Sequence, residues 1–118
     1  MINAKFHGYL DILTVIFFAL APTFFELSET GATLSYALAG IHLAMSLLTD
    51  FPMGPIKVIP IKVHGFIELL VGILLASGPW IVDDLFSGVG TIVFSIAGGM
   101  ILVIWLLTEY ADMVEELT

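Results

Sequence analysis

Two histidines in this chain are each followed, four positions later, by a carboxylate. His7 precedes Asp11, His64 precedes Glu68, and both histidines are followed directly by glycine. Residues four apart share one face of a helix, so each imidazole can contact its own carboxylate. Imidazole and carboxylate together suit zinc, iron or manganese, and inside a membrane they also form proton and ion paths.

A third histidine, His42, lies near the middle of the second apolar segment. The corresponding position later in the chain is Gly99 or Met100, so this histidine has no counterpart. An ionisable side chain at such depth in a membrane is a candidate functional residue. A neutral imidazole bonded to a hydroxyl, or to a carbonyl freed by a proline kink, would instead be structural.

The segments that must position these side chains are strongly apolar. Hydrophobic residues make up 59 % of the 118 residues and charged ones 12 %, and the mean hydropathy is +1.10. Soluble domains average about 45–50 % apolar and about 25 % charged residues. Residues 6–25, 32–49, 63–82 and 89–108 each have the roughly 17–25 predominantly apolar residues that a membrane-spanning helix needs. We predict an all-α bundle of four transmembrane helices in the lipid bilayer.

The repeated pattern predicts two tandem helical hairpins. Pro22 and Pro79 each follow their histidine by fifteen positions, and we expect a helix kink at both because proline lacks an N–H and crowds the preceding turn. Residues 47–51 and 106–110 are also similar. We predict one membrane domain, 1–118, with repeats at about 6–51 and 62–110, a linker at about 52–61 and an acidic tail at 111–118. Because each repeat has two helices, both repeats cross the membrane in the same orientation. This predicts a pseudo-twofold axis along the membrane normal that relates them.

The lysines predict how the chain is oriented. Lys5, Lys57 and Lys62 all lie before the first helix or between the second and third, and the other two turns carry acidic residues. The positive-inside bias therefore places both termini in the cytoplasm, and we expect the protein in the inner (plasma) membrane. The first apolar segment resembles a signal peptide, but its internal copy favours a retained helix.

Composition excludes several classes of function. Cysteine and arginine are absent and the net charge is -8, which excludes thiolate sites and argues against nucleic acid, since phosphate contacts need basic residues. Three lysines offer few partners for the propionates of a haem, which argues against haem binding. Hydrolase, P-loop and dinucleotide motifs are absent, so we expect no enzyme and no obligatory cofactor. The Trp and Tyr residues fit interfacial belts: Tyr9, Tyr36, Trp80, Trp105 and Tyr110.

The proline segments resemble one known family. Residues 77–80 read Ser-Gly-Pro-Trp and residues 21–23 read Ala-Pro-Thr. With the repeated pair of apolar helices, they resemble the SPW-repeat family of small integral membrane proteins, although a glycine interrupts the second motif and threonine replaces tryptophan in the first. The resemblance implies a small multi-helix membrane protein and supplies no activity.

Three roles remain open from the sequence. We expect a non-enzymatic assembly element or accessory subunit, which forms a homo-oligomer or joins a larger membrane complex through small-residue faces such as Ala37, Gly40 and Ala44. Each histidine would then only neutralise its own carboxylate. The alternatives are a proton, ion or small-solute transport component that also uses His42, and a metal- or cofactor-binding protein. The metal ligands would be His7, Asp11, His64 and Glu68.

Overall fold

Four long helices make up most of the chain. The computed structural model describes residues 2–82, 86, 88–108 and 110, and its helices are α1 (Ala4–Phe24), α2 (Glu29–Leu48), α3 (Ile61–Ile81) and α4 (Gly88–Leu107). Their bounds lie within three residues of the predicted segments. The predicted acidic tail, 111–118, lies outside the described residues, as do the acidic positions 83, 84 and 109.

All four helices are long and apolar enough to cross a membrane. Each has 20 or 21 residues, and a rise of about 1.5 Å per residue gives about 30 Å, the thickness of the bilayer's hydrocarbon core. Large apolar side chains on their outer surfaces, including Leu13, Ile41, Leu74 and Leu106, are exposed. Lipid tails would solvate these side chains, and the chain is an integral membrane protein.

Side-chain caps define where the first two helices begin. The Asn3 side chain accepts a hydrogen bond from the Phe6 N–H at 2.8 Å, and the Ser28 hydroxyl accepts one from the Gly31 N–H at 3.0 Å. Such caps satisfy backbone donors that lack a partner in the first turn. The Ser28 cap explains why α2 begins three residues before the predicted apolar segment.

Both prolines lie inside helices. α1 continues for two residues beyond Pro22, and α3 for two beyond Pro79. Pro22 has no N–H to give to the Phe18 carbonyl, and the Ser35 hydroxyl of α2 donates to that carbonyl instead at 2.6 Å. The bond joins α1 to α2 at the turn where a backbone bond is missing. The kinks themselves stay predictions.

The helices pack chiefly as two pairs, α1 with α2 and α3 with α4. Gly98 of α4 lies directly against the α3 backbone, where an added Cβ would stand 2.4 Å from the Ala76 nitrogen and 2.8 Å from the Gly72 oxygen. The small residues of α3 therefore pack inside the bundle. In contrast, Gly40 of α2 has no atom within 4 Å of its Cβ position among the described residues.

An apolar core fills the half of the bundle nearer the α1–α2 turn. Its buried members come from all four helices: Phe18, Ala39, Leu75, Phe94, Ala97 and Ile101. The Phe18 and Phe94 rings stack with centroids 6.4 Å apart. This core joins the two helix pairs through side chains.

Short backbone pairings close the other end of the bundle. Ile2 pairs with Thr108 and Ile59 pairs with Thr49, both as isolated parallel bridges. The Ile2 N–H donates to the carbonyl of residue 107 at 3.0 Å, and the Ile59 N–H donates to that of residue 48 at 2.7 Å. The segment before α1 therefore lies beside the end of α4, and the segment before α3 lies beside the end of α2.

Candidate metal centre

The five ionisable residues singled out from the sequence converge at this closed end. α1 and α3 begin there, and their first two turns each supply a histidine and a carboxylate, while α2 supplies the third histidine. All five side chains are buried, with exposed fractions of 8 % or less: His7, Asp11, His42, His64 and Glu68.

Each of the paired histidines contacts both carboxylates. Nε2 of His7 lies 3.3 Å from Oδ1 of Asp11 and 3.2 Å from Oε2 of Glu68. Nε2 of His64 lies 2.9 Å from Oε1 of Glu68 and 3.1 Å from Oδ2 of Asp11. The predicted pairs within each helix are present, but they are also joined across α1 and α3 into one cluster.

His42 lies at the margin of this cluster. Its Nε2 is 3.3 Å from Oδ1 of Asp11 and 3.8 Å from Oε1 of Glu68. Of the structural partners considered for His42, a hydroxyl or a carbonyl freed by a proline, the Phe18 carbonyl that Pro22 leaves free binds the Ser35 hydroxyl, and His42 contacts a carboxylate instead. His42 therefore extends the cluster on the Asp11 side.

Two threonine hydroxyls fix the orientation of the paired imidazoles. Nδ1 of His7 lies 3.0 Å from the Thr108 hydroxyl, and Nδ1 of His64 lies 2.7 Å from the Thr49 hydroxyl. Each hydroxyl gives its single hydrogen to the carbonyl one turn earlier in its own helix, at 2.7 Å for Thr108 and 2.5 Å for Thr49. The hydroxyl oxygens can then only accept from the imidazoles, so both Nδ1 atoms carry hydrogen.

This arrangement leaves Nε2 of each neutral imidazole with a lone pair facing carboxylate oxygens. Two acceptors at 2.9–3.3 Å repel each other unless a positive species lies between them. Protonation of the imidazoles would provide it, and so would a metal ion. Metal-bound histidines characteristically donate their other ring N–H to a fixed acceptor, which is the role that Thr49 and Thr108 fill.

Two polar atoms in this region have no hydrogen-bond partner among the described residues. One is Oδ2 of Asp11, which lies near His64 without accepting a hydrogen bond, and the other is the hydroxyl of Ser46, one turn after His42. Both residues are at least 97 % buried. Buried polar atoms are almost always satisfied, and a proton or a metal ion between Oδ2 of Asp11 and Nε2 of His64, which lie 3.1 Å apart, would satisfy the carboxylate oxygen.

Tyr110 covers the cluster and binds one of its carboxylates. Its hydroxyl donates a hydrogen bond to Oε2 of Glu68 at 2.8 Å, and its ring lies edge-on to His7 with centroids 5.7 Å apart. Burial raises the pKa of the Tyr110 phenol far above its ordinary value, and the Glu68 carboxylate raises it further. The phenol therefore stays protonated as a donor, a role that an interfacial belt residue would not have.

The glycine after each histidine makes room for an aromatic ring. A Cβ on Gly65 would lie 2.8 Å from the Tyr110 ring, and one on Gly8 would lie 3.2 Å from the Phe51 ring and 2.2 Å from the Met53 side chain. The Phe51 ring in turn lies 5.7 Å from His64. Each glycine thus accommodates the aromatic residue that contacts the histidine of the other helix, since Tyr110 packs on Gly65 and contacts His7 while Phe51 packs on Gly8 and contacts His64.

The donor atoms are close enough together for one metal ion. Atoms from four residues lie within 4.8 Å of one another: His7, Asp11, His64 and Glu68. Four donors arranged tetrahedrally at about 2.2 Å from one ion are about 3.6 Å apart. Inward shifts of up to about 1 Å would therefore complete the coordination.

Sequence analysis did not identify the residues that orient this cluster. Thr49, Thr108 and Tyr110 lie in the similar segments 47–51 and 106–110. The recurrence of threonine at the same place in both segments could have indicated their role.

Comparison with protein-family models, with curated proteins and with solved structures found no match.

Proposed function

We propose that this chain is a membrane-embedded metal-binding protein that holds a divalent transition-metal ion between its two helix pairs. His7, His64, Asp11 and Glu68 supply the donor atoms. One observation carries the proposal: both Nε2 atoms point at carboxylate oxygens while both Nδ1 atoms are committed to threonine hydroxyls. Two imidazolium ions paired with the two carboxylates would make the same contacts, and metal analysis separates that salt-bridge cluster from a metal centre.

The charge and chemistry of the ligands favour particular metals. Two carboxylates balance the charge of a divalent ion, and two neutral imidazoles add none. Imidazole and carboxylate without thiolate suit iron, manganese, cobalt and zinc. The buried surroundings strengthen the attraction between the carboxylates and a cation.

We further propose that the bundle consists of two tandem hairpins related by a pseudo-twofold axis along the membrane normal, with both termini cytoplasmic. Matched partners support the symmetry. Thr49 orients His64 as Thr108 orients His7, and Phe51 covers His64 as Tyr110 covers His7. The axis would then pass through the metal centre.

A proton or ion path across the bilayer has less support. Beyond the cluster the bundle is filled by apolar side chains such as Phe18, Leu75 and Phe94. A cavity of about 270 Å³ lies between α1 and α4. Its lining residues are apolar except for Thr14. The Thr14 hydroxyl already donates to the Leu10 carbonyl, and in the described part of the chain these two regions show no series of polar groups leading onward from the cluster.

The assembly role and the SPW-repeat resemblance stay predictions. One observation favours assembly as an additional role: Ala37, Gly40 and Ala44 form an exposed small-residue stripe on α2. Backbones approach closely at such stripes in membranes. An assembly role and a metal centre are compatible, because they use different faces of the bundle.

Metal analysis of the detergent-purified protein tests the proposal. The wild-type protein should contain or take up a divalent transition metal, and the double variant Asp11→Asn, Glu68→Gln should not. A matched control, Glu26→Gln with Glu29→Gln, removes two exposed carboxylates of the α1–α2 turn and should leave the metal content unchanged. Equal metal contents in the wild-type protein and the Asp11, Glu68 variant would contradict the proposal.

A further inference from the structure

Each carboxylate of the metal centre has a hydrogen-bond donor that is not itself a ligand. Resting on the proposed function, we propose that His42 is a positioning residue, which acts on the ion through Asp11. Tyr110 does the same through Glu68. The two donors differ in type and lie at different places in the two helix pairs, so the two halves of the centre meet one requirement in two ways.

Ion binding leaves each carboxylate with one outside donor among the described residues. Each ligand imidazole gives the lone pair of its Nε2 to the ion, while its Nδ1 hydrogen is committed to a threonine. Neither imidazole can then donate to a carboxylate. His42 remains for Asp11, with Nε2 at 3.3 Å from Oδ1. Tyr110 remains for Glu68, with its hydroxyl at 2.8 Å from Oε2. Carboxylate ligands of metal ions are characteristically held by such partners.

The ring hydrogen of His42 faces Asp11. The contact with Oδ1 of Asp11 is the one hydrogen bond of this ring in the described part of the chain, and Glu68 lies farther away, at 3.8 Å. A neutral imidazole has one N–H, and a lone pair on Nε2 would face the carboxylate with two acceptors in contact. Nε2 of His42 therefore carries the hydrogen, unlike Nε2 of His7 and His64. Such a nitrogen donates to Asp11 and has no lone pair for the ion.

The repeated threonines indicate which residues of α2 and α4 correspond. Thr49 and Thr108 are 59 positions apart, and each orients one histidine. On this alignment the counterpart of His42 is Ile101, one or two positions beyond the counterpart that the sequence comparison favours. The same shift matches other buried residues of the two helices: Gly31 with Gly90, Ser35 with Phe94, and Ala39 with Gly98.

Neither donor has an equivalent in the other helix pair. Ile101 is buried like His42, and the same shift pairs Phe51 with Tyr110. The side chains of Ile101 and Phe51 have no hydrogen-bond donor. The proposed repeat therefore supplies neither donor twice, yet each carboxylate has one.

Phe51 lies where a second tyrosine would serve Asp11. The edge of its ring would lie 3.2 Å from a Cβ on Gly8, as the edge of the Tyr110 ring would lie 2.8 Å from a Cβ on Gly65. In both helices the carboxylate follows this glycine by three positions. A hydroxyl added to Phe51 should therefore approach Asp11 and replace the donor that His42 provides.

Co²⁺ affinity of the protein in detergent tests the role of His42. His42→Leu removes the donor and should weaken Co²⁺ binding by about 10–100-fold, as loss of a partner of a metal ligand does. Adding Phe51→Tyr to His42→Leu should restore the affinity to within about threefold of wild type, because the new hydroxyl supplies the missing hydrogen. His42→Gln keeps an N–H and should also stay within about threefold of wild type, whereas His7→Gln removes a ligand and should lose more than about 100-fold.

His42→Leu with Phe17→Tyr is the matched control, because Phe17 is 39 % exposed and its added hydroxyl should restore nothing. Wild-type affinity in His42→Leu, or no recovery on adding Phe51→Tyr, would overturn this inference and leave the proposed function standing. Equal losses in His42→Gln and His7→Gln would make His42 a ligand and also overturn it, and this comparison holds even if His42→Leu does not fold. A wild-type protein that binds no Co²⁺ would overturn the proposed function, and this inference with it.

Discussion

Nε2 of His7 lies 3.2 Å from a carboxylate oxygen of Glu68, although 61 positions separate the two residues. The contact joins α1 to α3, and so connects two helix pairs that otherwise pack chiefly within themselves. It also places donor atoms from both pairs around one point. A metal ion bound there would act as a link between the pairs.

Metal removal should therefore lower the thermal stability of the protein. Binding at a free metal concentration one hundred times Kd stabilises the folded state by about 2.7 kcal/mol. Stripping the metal with a chelator should reduce the apparent melting temperature in detergent, and restoring the metal should recover it. The Asp11→Asn, Glu68→Gln variant should melt at the same temperature with and without metal. A metal-dependent shift of the same size in that variant would mean that the ion binds elsewhere.

Thr49→Val should weaken metal binding without removing a ligand. Valine keeps the shape of threonine but loses the oxygen that accepts from Nδ1 of His64. Loss of such an orienting partner typically reduces metal affinity by about 10–100-fold. Thr14→Val is the matched control, since the Thr14 hydroxyl donates to the Leu10 carbonyl in the same way but faces the α1–α4 cavity. Equal affinities in the two variants, measured by metal titration, would contradict the role given to Thr49.

His42→Ala should cost less metal affinity than His7→Ala. His7 contacts both carboxylates at 3.2–3.3 Å, whereas His42 contacts Asp11 at 3.3 Å and only approaches Glu68 at 3.8 Å. We expect the loss for His42→Ala to stay within the range of about 10–100-fold that outer partners show, and the loss for His7→Ala to exceed it. Equal losses in a metal titration would instead make His42 a direct ligand.

Adjacent glycines of α4 should differ sharply in their tolerance of alanine. A Cβ at Gly98 would meet the α3 backbone at 2.4 Å, while at Gly99 it would meet nothing within 4 Å among the described residues. Gly98→Ala should push α3 and α4 apart and destabilise the protein by about 1–3 kcal/mol. Gly99→Ala should be neutral or stabilise the helix by up to about 1 kcal/mol. Thermal unfolding in detergent measures both, and similar melting temperatures would contradict this α3–α4 packing.

A reporter fusion tests the predicted orientation. By the positive-inside bias, the three lysines predict that both termini lie in the cytoplasm. A reporter fused after Thr118 that is active only in the cytoplasm should be active, and one that requires export should be inactive. The reverse result would place the metal centre at the outer face of the membrane.

Helix positions were predictable because membrane insertion depends on local apolar length. The four segments read from hydropathy match the helices to within three residues. The largest difference, at the start of α2, comes from the Ser28 cap, since a capping hydroxyl extends a helix into a polar segment that hydropathy counts as a turn.

The candidate site was predictable in its residues but not in its connections. The spacing of His7 and Asp11, and of His64 and Glu68, indicates pairs within each helix. That each histidine contacts both carboxylates depends on how α1 and α3 cross, which spacing within one helix does not specify. The belt position predicted for Tyr110 follows from its residue type, and its bond to Glu68 spans 42 positions, which no local pattern reveals.

The pairing of Ile2 with Thr108 closes the bundle into a ring. The segment before α1 lies against the end of α4, just as Ile59 lies against the end of α2. Consider a circularly permuted chain that begins in the linker between α2 and α3 and connects the end of α4 to the segment before α1. In this chain α3 and α4 would precede α1 and α2. It would keep every donor on its own helix. The order in which the two helix pairs are synthesised is thus separable from the centre that they build together.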